Sequence, residues 1–459
     1  MIEPTRGGGG AGSDLGGVGG GGVTDSESEL PSTWLSLKLG DVLAYGKTEK
    51  AEPEEIAPET WVLELEDVEK DTTKVLQHLT FAERQSKSTK NKFNAGDVLY
   101  GKLRPYLNKV TFADRPGVCT TEIVPIKPNE AVHGRYLFHW LRHPAFLTYV
   151  TEVSHGVNMP RLGTDAGRDA PFVLAPKAEQ KRVADKLDTV LTRVDAVNTR
   201  LARVAPLLKR FRQSVLAAAT SGRLTEDWRG GRAVNETWRV IPLGKYVENH
   251  DGARVPISET LRTERRGAYP YYGASGVIDT IDGFTHEGKF VLIGEDGANL
   301  VTRSKPIAFI ATGKIWVNNH AHVLKCKEGA SDEYLAYYIN SIDLTPYVSG
   351  SAQPKLNQKN LNTIPVPVPP TEEQTEIVRR VETLFAFADR LEARLAQAQT
   401  AATRLTPALL AKAFRGELVP QDPNDEPAAE LLRRLQAERA TAPKASAGRG
   451  RKAAVRSEG

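Results

Sequence analysis

Residues 183–215 read VADKLDTVLTRVDAVNTRLARVAPLLKRFRQSV, and apolar side chains recur along this stretch in a strict alternation of four and three residues. The recurring positions are Val183, Leu187, Val190, Val194, Val197, Leu201, Val204, Leu208, Phe211 and Val215. An unbroken repeat with a mean spacing of about 3.5 residues is typical of a coiled-coil seam, whereas an ordinary amphipathic helix follows a period of about 3.6. The stretch therefore predicts a long helix that pairs with a second helix.

A second such helix is predicted in the same chain, because the seam returns 194 residues later. Its positions are Ile377, Val381, Leu384, Ala388, Leu391, Leu395, Ala398, Ala402, Leu405 and Leu409. Sequence identity accompanies the pattern: Pro176, Glu179, Gln180, Asp195, Arg200, Leu201, Ala202, Arg210, Leu216, Ala217, Ala219, Gly222 and Leu224 recur as Pro370, Glu373, Gln374, Asp389, Arg394, Leu395, Ala396, Arg404, Leu410, Ala411, Ala413, Gly416 and Leu418. Such a repeat predicts two copies of one structural unit.

The repeat unit is larger than the helix. LPSTWLSLKLGDV (30–42) is similar to VNETWRVIPLGKYV (234–247), which places Trp34 opposite Trp238 and Gly40 opposite Gly244. Short strand-like segments bounded by glycine and proline alternate with helical segments in both globular stretches. The predicted fold class is therefore α+β, with two tandem globular α/β domains that are each followed by a long helix.

Glycine and proline mark the course of the long helices. The first helix is predicted from about Lys177 to Gly222, since glycine suits the left-handed conformation that ends many helices. Pro206 lies inside this run and Pro407 lies inside its copy. An internal proline removes a backbone hydrogen bond, but the heptad phase continues past both residues. We expect a bend or a helix restart at each proline.

Charge differs between the two helical regions. Lysine plus arginine minus aspartate plus glutamate gives 13 − 6 = +7 for residues 174–232 and 10 − 12 = −2 for residues 368–440. This difference favours pairing of the two helices through positions that flank the seam. Two solvated helix faces with a chance imbalance are the alternative, since exposed ion pairs contribute little.

Composition points to an intracellular chain. Of 459 residues 40% are hydrophobic, yet no apolar run approaches the roughly 18 residues of a membrane-spanning helix. The Gly-rich start lacks the charged and apolar blocks of a signal peptide, and the two cysteines, Cys119 and Cys326, suit a reducing compartment. We expect a cytoplasmic protein without membrane contact.

Signatures of catalysis are missing from the sequence. It contains neither a Gly-x-x-x-x-Gly-Lys-Ser/Thr phosphate loop nor an Asn/Asp-Pro-Pro-Tyr/Phe segment, the substrate clamp of amino-methyltransferases. His320 and His322 would share a strand face, but a structural pair is a better interpretation than a metal site because no third ligand has suitable spacing. Turn chemistry accounts for Glu295 and Asp296, which lie between glycines. The chain is predicted to hold no catalytic residue and no metal.

Three junction segments carry a family resemblance. They are GSAQPKLNQKNLNTIPVPVPPTEEQ (350–374), its less regular copy HGVNMPRLGTDAGRDAPFVLAPKAEQ (155–180), and LLAKAFRGELVP (409–420). Together with YPYYGASG (269–276) and LIGEDGA (292–298), they resemble the DNA specificity subunits of type I restriction-modification systems. The resemblance extends over about residues 31–440.

The resemblance implies a role in DNA recognition. Each globular domain would be a target-recognition domain that contacts one half of a split double-stranded DNA target, and the long helices, which the family conserves, would form an antiparallel coiled coil. A pseudo-two-fold relation between the repeats agrees with antiparallel helices. The seam spans roughly 50 Å at about 1.5 Å per residue, so its length would set the spacing of the half-sites.

Partners and cofactors also follow from the resemblance. Two methyltransferase subunits would bind the helices and supply S-adenosylmethionine-dependent adenine methylation. Restriction subunits would add ATP- and Mg-dependent translocation and cleavage. The chain itself would hold no cofactor and would be a non-catalytic subunit of the complex.

On this reading the chain divides into seven segments. They are a Gly-rich disordered tail (1–29), target-recognition domain 1 (30–173), spacer helix 1 (174–232), target-recognition domain 2 (233–367), spacer helix 2 (368–424), a helical segment (425–440) and a basic disordered tail (441–459).

Candidate DNA-binding residues are those that combine hydrogen-bonding or aromatic side chains with loop or strand positions. In the first domain they are Lys102, Arg104, Tyr106 and Lys109 around Pro105, with Asn158 and Arg161 in the junction. In the second domain they are Tyr271, Tyr272 and Ser275, with Gln353 and Lys355. For each residue, a solvated surface charge or a packed tyrosine is the alternative.

Two other functions fit the same residues. A coiled-coil scaffold could bind proteins through its globular ends without any role in DNA binding. A specificity subunit could also guide methylation in a modification-only system that lacks a restriction subunit. Copurification with a methyltransferase subunit separates the scaffold from the other two.

Overall fold

In a computed structural model of the chain, residues 30–350 and 352–441 are described. The predicted Gly-rich tail at 1–29 lies outside these residues, as does the basic tail predicted at 441–459 apart from Thr441, which ends a helix. The chain forms two compact units, one containing residues up to Asp195 together with those from Arg404, and the other spanning Ala196–Thr403. Each unit therefore takes in one globular part and a segment of both long helices.

The first unit contains short strands in three sheets. Its strands are β1 (Leu35–Lys38), β2 (Lys50–Ala51), β3 (Trp61–Leu63), β4 (Leu79–Thr80), β5 (Lys90–Phe93), β6 (Val98–Gly101), β7 (Val110–Phe112), β8 (Gly117–Cys119), β9 (Ile123–Ile126) and β10 (Pro171–Leu174). The sheets have the orders β2-β5-β8-β3-β4, β7-β6-β9 and β1-β10. Its helices are α1 (Leu39–Val42), α2 (Phe81–Arg84), α3 (Gly134–Trp140), α4 (Pro144–Glu152), α5 (Thr164–Asp169) and the start of α6 (Lys177–Thr220).

The second unit is built on one larger sheet. Its strands are β11 (Arg239–Pro242), β12 (Val247–Asn249), β13 (Tyr269–Gly273), β14 (Gly276–Ile281), β15 (His286–Gly294), β16 (Ala308–Val317), β17 (Ala321–Cys326) and β18 (Pro365–Val368). The larger sheet has the order β12-β17-β15-β16-β13-β14, and β11 pairs with β18. Its short helices are α7 (Val234–Thr237), α8 (Leu243–Tyr246), α9 (Glu259–Glu264), α10 (Asn299–Thr302), α11 (Asp332–Ser341) and α12 (Gln358–Thr363).

The second long helix is α13 (Thr371–Phe414), and a last helix α14 (Ala428–Thr441) follows it. Both long helices run without interruption through their prolines, Pro206 and Pro407. Of the expected bend or restart, the restart is therefore wrong, and a bend stays a prediction. Near Pro206 the seam contacts of Val204, Leu208 and Phe211 continue past the proline and compensate for the missing hydrogen bond. Gly222 and Gly416 both follow a long helix with a φ of +77°, as the glycine C-cap predicts.

The long helices pack in antiparallel directions within the second unit. Leu208 of α6 clusters with Ala388 and Leu395 of α13. Val215, further along α6, belongs instead to a cluster that contains Ile377, which lies nearer the start of α13. Residues nearer the end of α6 therefore contact residues nearer the start of α13. The two helices are antiparallel, which confirms the predicted pairing.

Two features qualify the predicted helix pairing. Val197 and Leu405 of the predicted seam are each 44% exposed, so burial of the seam is not continuous. In the second unit Arg212 donates hydrogen bonds to Asp389 and Glu392 of α13, which are ion pairs at positions flanking the seam. These exposed pairs add little stability, but they orient the helices as the charge difference predicts.

The internal repeat is visible in matching contacts. Trp34 donates its indole N–H to Glu179 at 2.8 Å, and Trp238 donates to Glu373 at 2.8 Å. The strand pair β1-β10 in the first unit has its counterpart in β11-β18 of the second, and both pairs are antiparallel. The sequence echo around the two tryptophans therefore corresponds to one structural frame that is built twice.

The core of each unit lies between its globular part and the long-helix segments. In the first unit Tyr136 and Trp140 of α3 pack edge-on against Phe414 of α13, with ring centroids 4.9 Å apart in each case. Val183 and Leu187 of α6 are fully buried in the same cluster.

None of the helices in the described part of the chain combines the length and the apolar character that a membrane span requires.

Candidate nucleic-acid interface

Two loops of the first unit meet at the end of strand β6. We name them loop A1 (residues 101–109) and loop B1 (residues 155–161). The backbone N–H of Arg104 donates to the carbonyl of Pro160 at 2.7 Å, and the N–H of Leu162 donates to the carbonyl of Lys102 at 2.9 Å. Because these bonds join segments some fifty residues apart, the predicted residues of A1 and B1 lie on one surface.

Loop A1 reverses through unusual backbone conformations. Arg104 and Asn108 both adopt positive φ, at +51° and +47°, and flank a 3-10 turn at Pro105–Leu107. Left-handed conformations are uncommon for residues other than glycine, and they concentrate at binding sites. The turn leaves Arg104 exposed and Tyr106 45% exposed.

Most of the predicted side chains of the first unit are exposed. Arg104 and Lys102 carry charges that have no ion-pair partner in residues 30–350 and 352–441, and Asn158 lies exposed in B1. Arg161 is held by Glu122, with its Nε 3.0 Å from the carboxylate. Arg104 and Lys102 are thus the side chains of A1 that can neutralise phosphate groups without losing an internal partner.

Lys109 does not fit its predicted role in this structure. Its ammonium donates to the carbonyl of Leu65 at 2.7 Å and is partly buried. It was predicted as a DNA-binding residue because it belongs to the charged and aromatic residues around Pro105. In the structure Lys109 instead connects loop A1 to the segment that contains Leu65.

The second unit repeats this loop arrangement. We name its loops A2 (residues 294–303) and B2 (residues 349–355, of which 351 is not described). The N–H of Gly297 donates to the carbonyl of Pro354 at 3.0 Å, and the N–H of Leu356 donates to the carbonyl of Glu295 at 2.7 Å. These bonds correspond one for one to those between A1 and B1.

Loops B1 and B2 also match internally. His155 and Arg161 exchange two backbone hydrogen bonds, and so do Ser349 and Lys355, which lie 194 residues further on. Gly156 and its counterpart Gly350 both have positive φ, at +120° and +84°. The two loops therefore share one backbone design and differ mainly in side chains.

The side chains differ in charge between the two units. By the backbone bonds, Lys102 and Arg104 of A1 correspond to Glu295 and Gly297 of A2. In B2, Gln353 is exposed, and Lys355 is exposed but lies 3.2 Å from the carboxylate of Glu295. Loop pair A1/B1 thus presents more unpaired positive charge, which suits a different contact with DNA.

Three of the predicted residues lie in or next to strand β13. The prediction that one of them, Tyr271, contacts DNA at the surface is wrong. It is 1% exposed, accepts the N–H of Ile257 at its hydroxyl, and lies beneath the guanidinium of Arg262. Strand alternation places the neighbouring Tyr272 on the other face, where it is half-buried and stacks on Phe309. Burial raises the pKa of Tyr272.

Ser275 lies in the turn between β13 and β14 and is half-buried. This turn approaches loop A2 closely, because a Cβ built on Gly294 would lie 2.6 Å from the carbonyl oxygen of Ala274. Only glycine fits at position 294 without moving the turn. The structure thus places Ser275 near the start of loop A2. The sequence alone does not indicate this proximity.

Sequence reasoning missed the apolar tip of loop B1. Val157 is 100% exposed and Met159 is 46% exposed. Exposed apolar side chains beside hydrogen-bonding groups suit contact with the methyl group of thymine. Their position between Gly156 and Pro160 is the sequence feature that could have indicated an exposed apolar loop tip.

Sequence reasoning also missed a charged network beneath loop B2. Arg254 donates to Glu295 at 2.6 Å, and Asp251 accepts from His322 at 2.6 Å. Burial acts to raise the pKa of Glu295, but the hydrogen bond from Arg254 and the nearby positive charges outweigh it and lower the pKa. The prediction that Glu295 serves only to form a turn is therefore incomplete, because its carboxylate also pairs with Arg254. Aligning GKLRPYL with GEDGANL in the repeat would have placed this residue at the loop base.

The paired histidines have separate structural partners. His320 contacts the carboxylate of Asp296 at 2.7 Å, while His322 contacts Asp251 and the carbonyl of Leu356. Within the described part of the chain, no group of three or more His, Cys, Asp or Glu side chains could hold a metal ion.

Comparison with known proteins places the chain in a family. The family model described as type I restriction modification DNA specificity domain matches residues 235–399. The specificity subunit of the type I restriction enzyme EcoBI from Escherichia coli is 31% identical over 364 residues, which cover 70% of this chain and 74% of that protein. The EcoDI specificity subunit from Escherichia coli is 27% identical over 460 residues, which cover 90% of this chain and 97% of that protein.

Solved structures share the fold. A chain from a study of complex assembly and conformational transition of the type I R-M system aligns with a TM-score of 0.70 at 22% identity and covers 85% of this chain and 99% of that chain. The HsdS subunit from Thermoanaerobacter tengcongensis aligns with a TM-score of 0.57 at 21% identity and covers 86% of this chain and 100% of that chain. With these folds and the identity to EcoBI, the chain belongs to the family of type I restriction-modification DNA specificity subunits.

Proposed function

We propose that the chain is the DNA specificity subunit of a type I restriction-modification complex and binds a bipartite double-stranded DNA target. The observation that supports this most is the repeated loop pair, A1 with B1 and A2 with B2, joined by the same backbone hydrogen bonds in each unit. Two sites with one frame and different side chains suit two half-sites of different sequence.

The exposed groups of the loops suit both parts of DNA recognition. Lys102 and Arg104 supply positive charge for phosphates, and an arginine can also donate two hydrogen bonds to guanine in the major groove. Asn158 and Gln353 carry amides of the kind that pair with adenine. In this proposal loop A1 contributes more of the affinity, and B1 and B2 contribute more of the base selection.

The partners are proposed to be two methyltransferase subunits that bind the long helices, with restriction subunits in the full complex. Exposed residues that are identical in both repeats support this, because packing does not require them. Arg200 and Arg394 form one such pair and Arg210 and Arg404 another, and none of the four makes an ion pair within the described ranges. S-adenosylmethionine, ATP and Mg are proposed to act in the partner subunits, and this chain supplies recognition.

A genome-wide map of methylated adenine, made in the source cell with and without this gene, tests the proposal. Loss of one bipartite methylated motif on deletion is the expected result and gives both half-sites and the spacer. Complementation with the unchanged gene must restore the motif. An unchanged map would count against the specificity role, and copurification with a methyltransferase subunit would then test the scaffold alternative.

A further inference from the structure

His322 occupies a position where both ring nitrogens face hydrogen-bond acceptors. It lies on β17 and is 1% exposed. Its Nδ1 is 2.6 Å from Oδ2 of Asp251, and its Nε2 is 2.8 Å from the carbonyl oxygen of Leu356. Leu356 directly follows loop B2, so this contact lies at the base of that loop.

The two contacts connect His322 to two separate segments. The carbonyl of Leu356 can only accept, so Nε2 must donate to it. At Nδ1 either the ring donates to a carboxylate or a protonated Asp251 donates to the ring. In both cases one hydrogen bond joins His322 to Asp251, and the other joins it to the backbone at the base of loop B2.

We propose that His322, through these two hydrogen bonds, positions loop B2 for contact with the half-site that the second unit recognises. This inference rests on the proposed function. His322 does not reach the surface, so it is a positioning residue, and the groups that touch DNA are those of B2 above it.

Charged groups from each neighbouring segment face this site. Asp251 and Arg254 come from the segment after β12, and Arg254 pairs with Glu295 at the end of β15. Glu295 lies 3.9 Å from the imidazole of His322 and 3.2 Å from the ammonium of Lys355 in loop B2. Replacing His322 with a side chain that makes only one of its two hydrogen bonds thus leaves the carbonyl of Leu356 or the carboxylate of Asp251 without that partner.

The first unit provides an internal comparison. Strand register places Tyr100 opposite Val124 in the first unit and Ile293 opposite His322 in the second. Val124 is buried and apolar, so no side chain at the matching position makes hydrogen bonds beneath loop B1. Replacing His322 should therefore affect one half-site and not the other.

The experiment uses the full chain assembled with its methyltransferase subunits. Affinity is measured for a duplex with the intact target and for two duplexes in which one half-site or the other is altered. The ratio of affinities gives discrimination at each half-site. His322→Gln is the variant, because glutamine can donate to Leu356 but lacks the second ring nitrogen that contacts Asp251.

The matched control is His286→Gln. His286 is also buried in the second unit, but it bonds to Thr285 and to the carbonyl of His250 and not to loop B2. Thermal unfolding of both variants shows how much stability each change removes. A purely structural role for His322 predicts the same behaviour for both variants.

For His322→Gln we expect discrimination at the half-site that the second unit recognises to fall about tenfold, within the range of one specific base contact, while the other half-site stays constant. His286→Gln should keep the discrimination of the unchanged complex at both half-sites.

The outcomes separate this inference from the proposed function. If His322→Gln keeps full discrimination at both half-sites, or loses it equally at both, the positioning role is overturned while DNA recognition stands. If the unchanged complex discriminates at neither half-site, both proposals are overturned. If His286→Gln loses discrimination at the same half-site as His322→Gln, the effect belongs to the stability of the second unit and the positioning role is overturned.

Discussion

Trp34 donates its indole N–H to Glu179 at 2.8 Å, and the repeat reproduces this bond at the same distance between Trp238 and Glu373. Both carboxylates are buried in the first turn of a long helix. Each unit thus connects the start of its globular part to the helix that follows it through one buried polar contact.

The two carboxylates differ in their other partners, which predicts different stability losses. Glu373 also pairs with the buried guanidinium of Arg229, whereas Glu179 accepts from the uncharged Gln421. Glu373→Gln should lower the free energy of unfolding by about 3–5 kcal/mol, because it leaves the Arg229 charge buried without its partner. Burial raises the pKa of Glu179, so Glu179→Gln relieves an unfavourable charge and should cost much less. Urea unfolding followed by circular dichroism measures both, and equal losses would contradict the argument.

Arg104→Ala should weaken DNA binding or relax one half-site. Its guanidinium is exposed on loop A1 and has no ion pair in the part of the chain that the structure describes. Loss of a specific base contact costs about 1–3 kcal/mol, and loss of a phosphate contact lowers the salt dependence of binding by about one charge. Titrations of the intact target at several salt concentrations measure both. Lys87→Ala removes an exposed charge that belongs to neither loop A1 nor loop B1 and is the control. Unchanged affinity and half-site preference for Arg104→Ala would reject the role.

Gly416→Ala should destabilise the first unit by more than about 1 kcal/mol. Gly416 has a φ of +77°, and a Cβ there would overlap Cγ of Pro31. Gly163→Ala is the matched control, because its φ is −67° and a Cβ there meets no atom within 4 Å. Thermal unfolding should show a lower Tm for the first variant and little change for the second.

The stability contribution of His143 should depend on pH in the acid range. Burial and the charge of Arg415 lower the pKa of His143 to about 4, and its Nδ1 accepts the N–H of Ala145 as the N-cap of α4. The folded state binds this proton less tightly than the unfolded state, whose histidine pKa is about 6.5. The contribution is therefore complete above about pH 6.5 and is lost as the pH falls through about 4.

His143→Asn tests this contribution, since asparagine is a good N-cap residue but does not titrate. The Tm of the unchanged protein relative to that of the variant should fall as the pH is lowered through this window. Taking the difference cancels the titration of the other groups. A constant difference across the range would show that His143 does not carry the effect.

Exchange of Arg200 and Arg394 together for alanine should weaken assembly with the methyltransferase subunits. Both side chains are exposed at equivalent positions of α6 and α13. Lys186→Ala, an exposed lysine of α6 whose repeat counterpart is Arg380, serves as the control. Copurification and analytical ultracentrifugation measure assembly, and Tm should stay within about 1 °C because exposed charges contribute little to folding.

The amino-acid sequence by itself determined the long helices and their pairing. The spacing from Val183 to Val215, its return 194 residues later and the glycines at 222 and 416 are local or periodic signals. Helix packing depends on such periodicity, so these signals suffice to give two antiparallel helices and a repeated unit. The sequence allowed either a bend or a restart at each proline, and only the structure shows that both helices are continuous there.

Only the tertiary structure decided which residues form the candidate interface. Loop A1 meets loop B1 through backbone bonds to Pro160, and strand pairing turns Tyr271 into the core while leaving Gln353 exposed. The position of His322 beneath loop B2 likewise follows from the register of β15 and β17. Burial and loop contacts of this kind arise from pairings between segments far apart in the chain, and the local pattern of residue types does not specify them.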